Sequence, residues 1–150
     1  MSIPGTHDTC ARHGGDRFEC QSETLLEQLN AGIRFIDIRC RHIEIDNNTI
    51  KVQDEYKVPT IFKIDDKWDK IHDLLKDTDE DKDNRWYINF MSGASSGAYP
   101  NAVAKGTPGI QGENERLYNY LNDHTHRKIG TIVMDFPDNP LINKLIKRNL

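Results

Sequence analysis

Hydrophobic positions along the chain switch between two periods, and the switching predicts strands alternating with helices. The opening "SIPGT" reads as a short strand over residues 2–6. Residues 10–21 are polar and carry Gly14 and Gly15, so they read as a loop. "SETLLEQLNAG" then follows a helical period. Ser22 serves as N-cap, Leu25, Leu26 and Leu29 share one face, and Gly32 suits the C-terminal stop. "IRFIDIRC" alternates with period two, placing Ile33, Phe35, Asp37 and Arg39 on one side and Arg34, Ile36 and Ile38 on the other. The second set is expected to pack against helices. The first begins apolar and ends in two charged residues pointing the same way.

Further along, "NNTIKVQDEYKV" carries a turn signal at Asn47-Asn48 and then a short strand. "DDKWDKIHDLLKD" is a helix capped by Asp65 or Asp66, with Trp68, Ile71, Leu74 and Leu75 inward. "DTDEDKDN" is an acidic, solvated connector that lacks the glycine and terminal glutamate of a calcium-binding EF-hand loop. "RWYINFM" is a buried strand opening into a long Gly/Ser/Pro loop over residues 92–112. "ENERLYNYLND" is a helix with Leu117, Tyr120 and Leu121 on one face. "KIGTIVMDF" is a last buried strand ending in Asp135, and "NPLINKLIKRNL" closes the chain as a helix.

Composition narrows the classes. With 150 residues, 36% hydrophobic, 29% charged and a net charge of −4, the sequence fits one soluble domain. There is no basic stripe for nucleic acid, no apolar run near the ~18 residues of a membrane span and no visible leader after Met1. Cys10, Cys20 and Cys40 are odd in number and lack metal-site spacing. They leave open either one disulfide with a spare thiol or three reduced cysteines.

The charged residues carry more information. His7-Asp8, Asp37 with Arg39, and Asp135 all fall at strand ends. In a barrel of parallel strands, that is where chemistry takes place. A histidine oriented by a carboxylate is a general base, and an arginine nearby holds a phosphate oxygen, a set suited to phosphoryl transfer.

These same stretches resemble a known family. "SIPGTHDT" with "LLEQLNAGIRFIDIR" is similar to the N-terminal part of the X-domain of phosphatidylinositol-specific phospholipases C. "TIKVQDEYKV", "WYINFMSGASSGAYP" and "IGTIVMDFP" are similar to the C-terminal part of the bacterial and secreted fungal enzymes. The resemblance implies an irregular TIM barrel. It also implies cleavage of phosphatidylinositol to diacylglycerol and inositol 1,2-cyclic phosphate at a membrane surface, without a cofactor. By motif, His7 resembles the general base for the inositol 2-hydroxyl and Asp135 the carboxylate that orients it. Arg39 resembles the phosphate ligand, with Asp8 and Asp37 completing the set. Tyr99, beside Pro100, is the expected lipid- or substrate-facing residue of the long loop. Calcium-dependent relatives place acidic ligands on the second strand. Here it reads Asp37-Ile38-Arg39, and because an arginine cannot ligate a cation, no metal is expected.

The length departs from the family. A (βα)8 barrel takes at least ~200 residues. The N-terminal segment runs almost directly into the C-terminal one near residues 44–50, and the family's second histidine, the general acid, has no counterpart. His42 is the nearest substitute. The expected fold is therefore α/β, about half of a barrel, forming one domain over residues 1–150 with open sheet edges that invite a homodimer. A second reading stands beside the enzyme: a shortened relative that only binds inositol phosphates or lipid surfaces. The resemblance suggests a secreted protein.

Overall fold

The computed structural model describes residues 1–38, 50–53, 58–124 and 128–150. In chain order the elements are β1 (Ser2–Thr6), α1 (Leu25–Ala31), β2 (Phe35–Ile36), β3 (Ile50–Gln53), α2 (Ile64–Glu80), β4 (Trp86–Phe90), α3 (Pro100–Lys105), the hairpin β5 (Gly106–Thr107) and β6 (Ile110–Gln111), α4 (Glu113–Asp123), β7 (Gly130–Met134) and α5 (Asn139–Lys147). Arg39 and His42 lie outside the described residues, as do Cys40, His126 and most of the 44–50 junction.

Five strands form one parallel sheet in the order β2-β1-β7-β4-β3. In an eight-stranded barrel, neighbours follow chain order and the last strand pairs with the first. The order seen here is that cycle with one break, between β2 and β3. Thirteen residues, 37 to 49, join those two strands. A single βαβ crossover already takes at least ~10–12 residues, so three more strands with their helices do not fit. The result is a curled part-barrel whose edges, among the described residues, are β2 and β3.

The pairing register stacks side chains into rows. Gly5 pairs with Phe35 on one side and Val133 on the other, and Val133 pairs with Phe90. Paired residues of parallel strands share a face, so these four form one row on the concave side. Gly5 is required there because a Cβ would stand 2.9 Å from the Phe35 Cβ. Gly5→Ala is expected to destabilise the fold by about 1–3 kcal/mol through overpacking, as read from urea unfolding; an unchanged midpoint would mean that β2 yields freely.

The alternate residues face the helices. Ile132 and Met134 join Ile71, Leu75, Leu117, Tyr120, Leu121, Leu141 and Leu145 in the main core. Trp68 packs at its margin. Asn89, also on this side, is buried and donates to the Ile71 carbonyl at 2.9 Å, which satisfies its polar group inside the layer. Parallel sheets are normally covered on both faces. Here the concave face keeps Ile3, Phe35, Ile88 and Phe90 only half-buried, and Trp86 is 47% exposed. Among the described residues no helix is long and apolar enough to cross a membrane.

Several local expectations are corrected. Helix α1 starts later, with Thr24 as N-cap in a reciprocal capping box with Glu27. Its leucines are not the buried face: Leu26 is 68% exposed, whereas Gln28 is buried and donates to the Thr9 and Glu23 carbonyls. The helix docks through a polar anchor, and its apolar spacing does not decide its orientation. The Gly32 stop is as expected, at φ 109° with its N–H on the Gln28 carbonyl. Ile36 and Ile38 are exposed and not under a helix, because β2 is a two-residue edge strand. Asp65 and Asp66 lie in the first turn of α2, where their charge favours the helix N-terminus, but neither is the cap. The acidic stretch is partly the last turns of α2, which runs to Glu80. Residues 92–112 are not structureless, since they contain α3 and the β5–β6 hairpin.

Candidate active site

Moving up one step from the Phe35–Gly5–Val133–Phe90 row places Asp37, His7, Asp135 and Ser92 at the C-terminal ends of their strands. His7 and Asp135 meet because the first and last strands pair. The His7 Nδ1 lies 2.8 Å from Asp135 Oδ1, and both side chains are buried. With Asp135 ionised the shared proton sits on Nδ1, which leaves the Nε2 lone pair as the reactive edge. Burial pushes the Asp135 carboxyl above the usual aspartate range. Its hydrogen bond to His7 pulls it back, as does one from the Cys20 thiol.

Backbone geometry holds the pair at the rim. Each member is followed by a non-glycine residue in the left-handed region, Asp8 at φ 41° and Phe136 at φ 44°. The chain therefore turns sharply just beyond each side chain, a local strain that persists only where surrounding contacts enforce it. Those contacts are present. The His7 N–H donates to the Met134 carbonyl at 2.9 Å. The buried Gln21 amide donates to the carbonyls of both His7 and Met134, at 2.7 and 2.9 Å. Asn114 donates to the carbonyls of Asp135 and Phe136. The Phe90 ring meets the imidazole edge-on, 6.2 Å between centroids.

On the other side Asp8 and Asp37 are tied together. The Asp8 N–H donates to Asp37 Oδ2 at 3.2 Å, and Asp8 Oδ2 stands 3.8 Å from His7 Nε2. Thr9 fixes Asp37 in turn. Its hydroxyl accepts the Asp37 N–H at 2.8 Å and donates to the Thr6 carbonyl. So His7, Asp8, Asp37 and Asp135 form one cluster, as their strand-end positions suggested.

Tyr99 is not part of that cluster. It is half-buried as the N-cap of α3, and Pro100 is buried at the first helical position. The long loop folds into a helix there, with Pro suited to its first position. Other histidines serve elsewhere. His13 is exposed, while His72 lies between Trp68 and Tyr120 in an aromatic stack, where burial lowers its pKa.

Cys20, Gln21 and Asn114 belong to the site although no sequence pattern marked them, and Thr9, the last residue of "SIPGTHDT", has no role in the sequence reading. Cys20 and Gln21 return from a polar loop whose path depends on hydrogen bonds from Cys20 N and Gln21 N to the Ala11 carbonyl. Only the polarity of "ECQS" distinguishes them in sequence. Cys10 and Cys20 are not bonded to each other, and Cys40 lies outside the described residues.

A second buried polar group lies behind β4. Lys67 is buried and donates to the Phe90 carbonyl at 2.7 Å. Glu113, in the first turn of α4, is wholly buried, and neither carboxylate oxygen has a hydrogen-bond partner among the described residues. Burial pushes its pKa up to about 8, against the opposing pull of Arg116 and Lys67.

No family model matches the sequence, and no curated protein matches it significantly. Thirteen solved chains match the structure. One is the phosphatidylinositol-specific phospholipase C from Listeria monocytogenes, with a TM-score of 0.84 and 18% identity, covering 100% of this chain and 93% of that one. Another is a pentafluoro-Phe-incorporated phosphatidylinositol-specific phospholipase C from Staphylococcus aureus, with a TM-score of 0.54 and 23% identity, covering 79% of this chain and 40% of that one. At these identities the likeness is one of fold. This chain has the mixed α/β, barrel-type fold of those phospholipases, with part of the barrel's sheet.

Proposed function

We propose that this chain is a phosphodiesterase of the phosphatidylinositol-specific phospholipase C type, acting on inositol phosphodiesters at a lipid surface. The observation that carries the reading is the buried His7–Asp135 pair at the C-terminal rim of paired first and last strands. A neutral imidazole held by a carboxylate takes a proton from the inositol 2-hydroxyl. That oxygen attacks phosphorus, and the bond to the diacylglycerol oxygen breaks, leaving inositol 1,2-cyclic phosphate. Arg39, the sequence's candidate for the phosphate, neutralises charge on the non-bridging oxygens without calcium. Asp8 and Asp37 border the base.

The likeness to solved phospholipases C supports the fold half of this reading. The shortened sheet bears on the other half. On this reading the family's second histidine would fall between β2 and β3, where the sequence supplies only residues 37–49. Among the described residues no second histidine stands beside His7 to protonate the departing diacylglycerol oxygen, and His42 lies outside them. General acid assistance contributes ~10²–10⁴-fold. Turnover of an inositol phosphodiester with a nitrophenol or thiol leaving group is therefore expected to exceed that of phosphatidylinositol by a factor in this range. Such leaving groups depart without a proton. Equal rates on both would mean that another residue supplies the acid. Binding of inositol phosphates or vesicles with no turnover of either substrate would favour the second reading, a binding-only relative, which the broken strand cycle supports.

A further inference from the structure

Beside the His7–Asp135 pair the structure gathers donors of three different kinds. A ring nitrogen of His7, a carboxylate oxygen of Asp8 and the sulfur of Cys20 all lie within 4.8 Å of one another. We propose that these three residues form a binding site for a thiophilic divalent cation, with zinc the natural occupant, and that the bound cation shuts off the base.

Three features favour a cation here. The first is the second shell. His7 Nδ1 is engaged by Asp135 at 2.8 Å, so the ring presents Nε2, and Asp8 Oδ2 faces that nitrogen at 3.8 Å. A carboxylate behind a ligating imidazole is the arrangement that fixes tautomer and orientation in zinc sites. The second is anchoring. Cys20 is 2% exposed, its N–H donates to the Ala11 carbonyl and its carbonyl accepts from Phe136 N–H, both at 2.9 Å. The sulfur is therefore delivered by backbone that β7 and the loop hold in place. The third is size. Ligand bonds of about 2.0–2.3 Å in tetrahedral geometry put neighbouring donors about 3.3–3.6 Å apart, so the cluster closes by about 1.5 Å at most.

The donor set selects the ion. One sulfur, one imidazole and one carboxylate suit zinc and its thiophilic neighbours, whereas calcium and magnesium take all-oxygen shells. Binding releases the Cys20 thiol proton to solvent as the thiolate–metal bond forms. Three protein ligands leave the fourth position to water. The cation occupies the Nε2 lone pair that the base requires, so binding and proton abstraction exclude each other. The inhibitory role rests on the proposed phosphodiesterase reading, while the cation site itself does not.

The test is therefore a binding measurement on the full chain. Cobalt(II), added to metal-stripped protein, is expected to bind with one-to-one stoichiometry and give a thiolate-to-cobalt charge-transfer band, which zinc then displaces. Cys20→Ser should remove the band and weaken zinc binding more than the 10–100-fold typical of losing an outer-shell partner. Asp135→Asn should weaken it within that range, while Cys10→Ser and Cys40→Ser should leave the band in place. Asp8→Asn, a near-isosteric change at a half-buried residue whose left-handed backbone asparagine also adopts, should weaken both metals even if the Cys20 variant does not fold. The proposal is overturned by a band that survives Cys20→Ser, by one lost with Cys10 or Cys40, by unchanged affinity in Asp8→Asn, or by no stoichiometric binding. None of these readouts needs turnover, so failure of the phosphodiesterase reading would be seen separately.

Discussion

Replacing His7 with alanine is expected to reduce turnover of a soluble inositol phosphodiester by ~10²–10⁴-fold, the range for loss of a positioned base. The size follows from geometry. His7 is the imidazole at the strand rim that a buried carboxylate holds, and Gln21 locks its backbone. Asp135→Asn should also cost activity while leaving the ring in place, because an amide in place of the carboxylate no longer fixes the tautomer that exposes Nε2. Both variants should be compared by circular dichroism, since both side chains are buried. A folded His7→Ala protein that retains full turnover would remove His7 from the mechanism and, with it, the assignment of the rim as the active site.

The second large effect concerns stability and pH, and it centres on Glu113. Its carboxyl is held at about 8 by burial, against an ordinary value of 4.5. The folded state therefore keeps a proton that the unfolded chain releases at lower pH. Stability is accordingly highest below about 4.5 as far as this group is concerned, falls as pH rises from there to about 8, and is level above. A shift of that size corresponds to about 5 kcal/mol across the window. Glu113→Gln, which cannot ionise, is expected to lose this slope and to be the more stable protein at pH 9, with the gap closing towards pH 5. Urea unfolding of the two proteins at a series of pH values checks it. Parallel stability curves would show that Lys67 and Arg116 hold Glu113 ionised throughout.

The sequence by itself determined the element types in the middle and end of the chain and the strand-end positions of His7, Asp8, Asp37 and Asp135. Short apolar runs such as those in "RWYINFM" and "KIGTIVMDF", rich in β-branched and aromatic residues, fit a strand buried in a sheet, and the apolar faces of α2 and α4 pack as their spacing implies. A polar group at the end of such a run is legible for the same reason, because nothing in a core explains it. The resemblance to phospholipases C drew on these stretches too, and the barrel-type fold agrees with it.

The tertiary structure alone decided the rest. Which strands pair cannot be read from period. The β1–β7 pairing joins residues 128 positions apart in sequence and creates the His7–Asp135 bond. The orientation of α1 went against its own leucine pattern because one buried amide, Gln28, found carbonyls to satisfy. Tyr99 and Pro100 were drawn into the start of a helix, since a Gly/Ser/Pro composition describes a loop's flexibility and not the contacts it finally makes. Cys20 reached the site through two backbone hydrogen bonds that any sequence of similar polarity leaves unmarked. Local propensity acts over a few residues. The site is assembled by pairing and hydrogen bonds that span the whole chain, and those exist only once the sheet has formed.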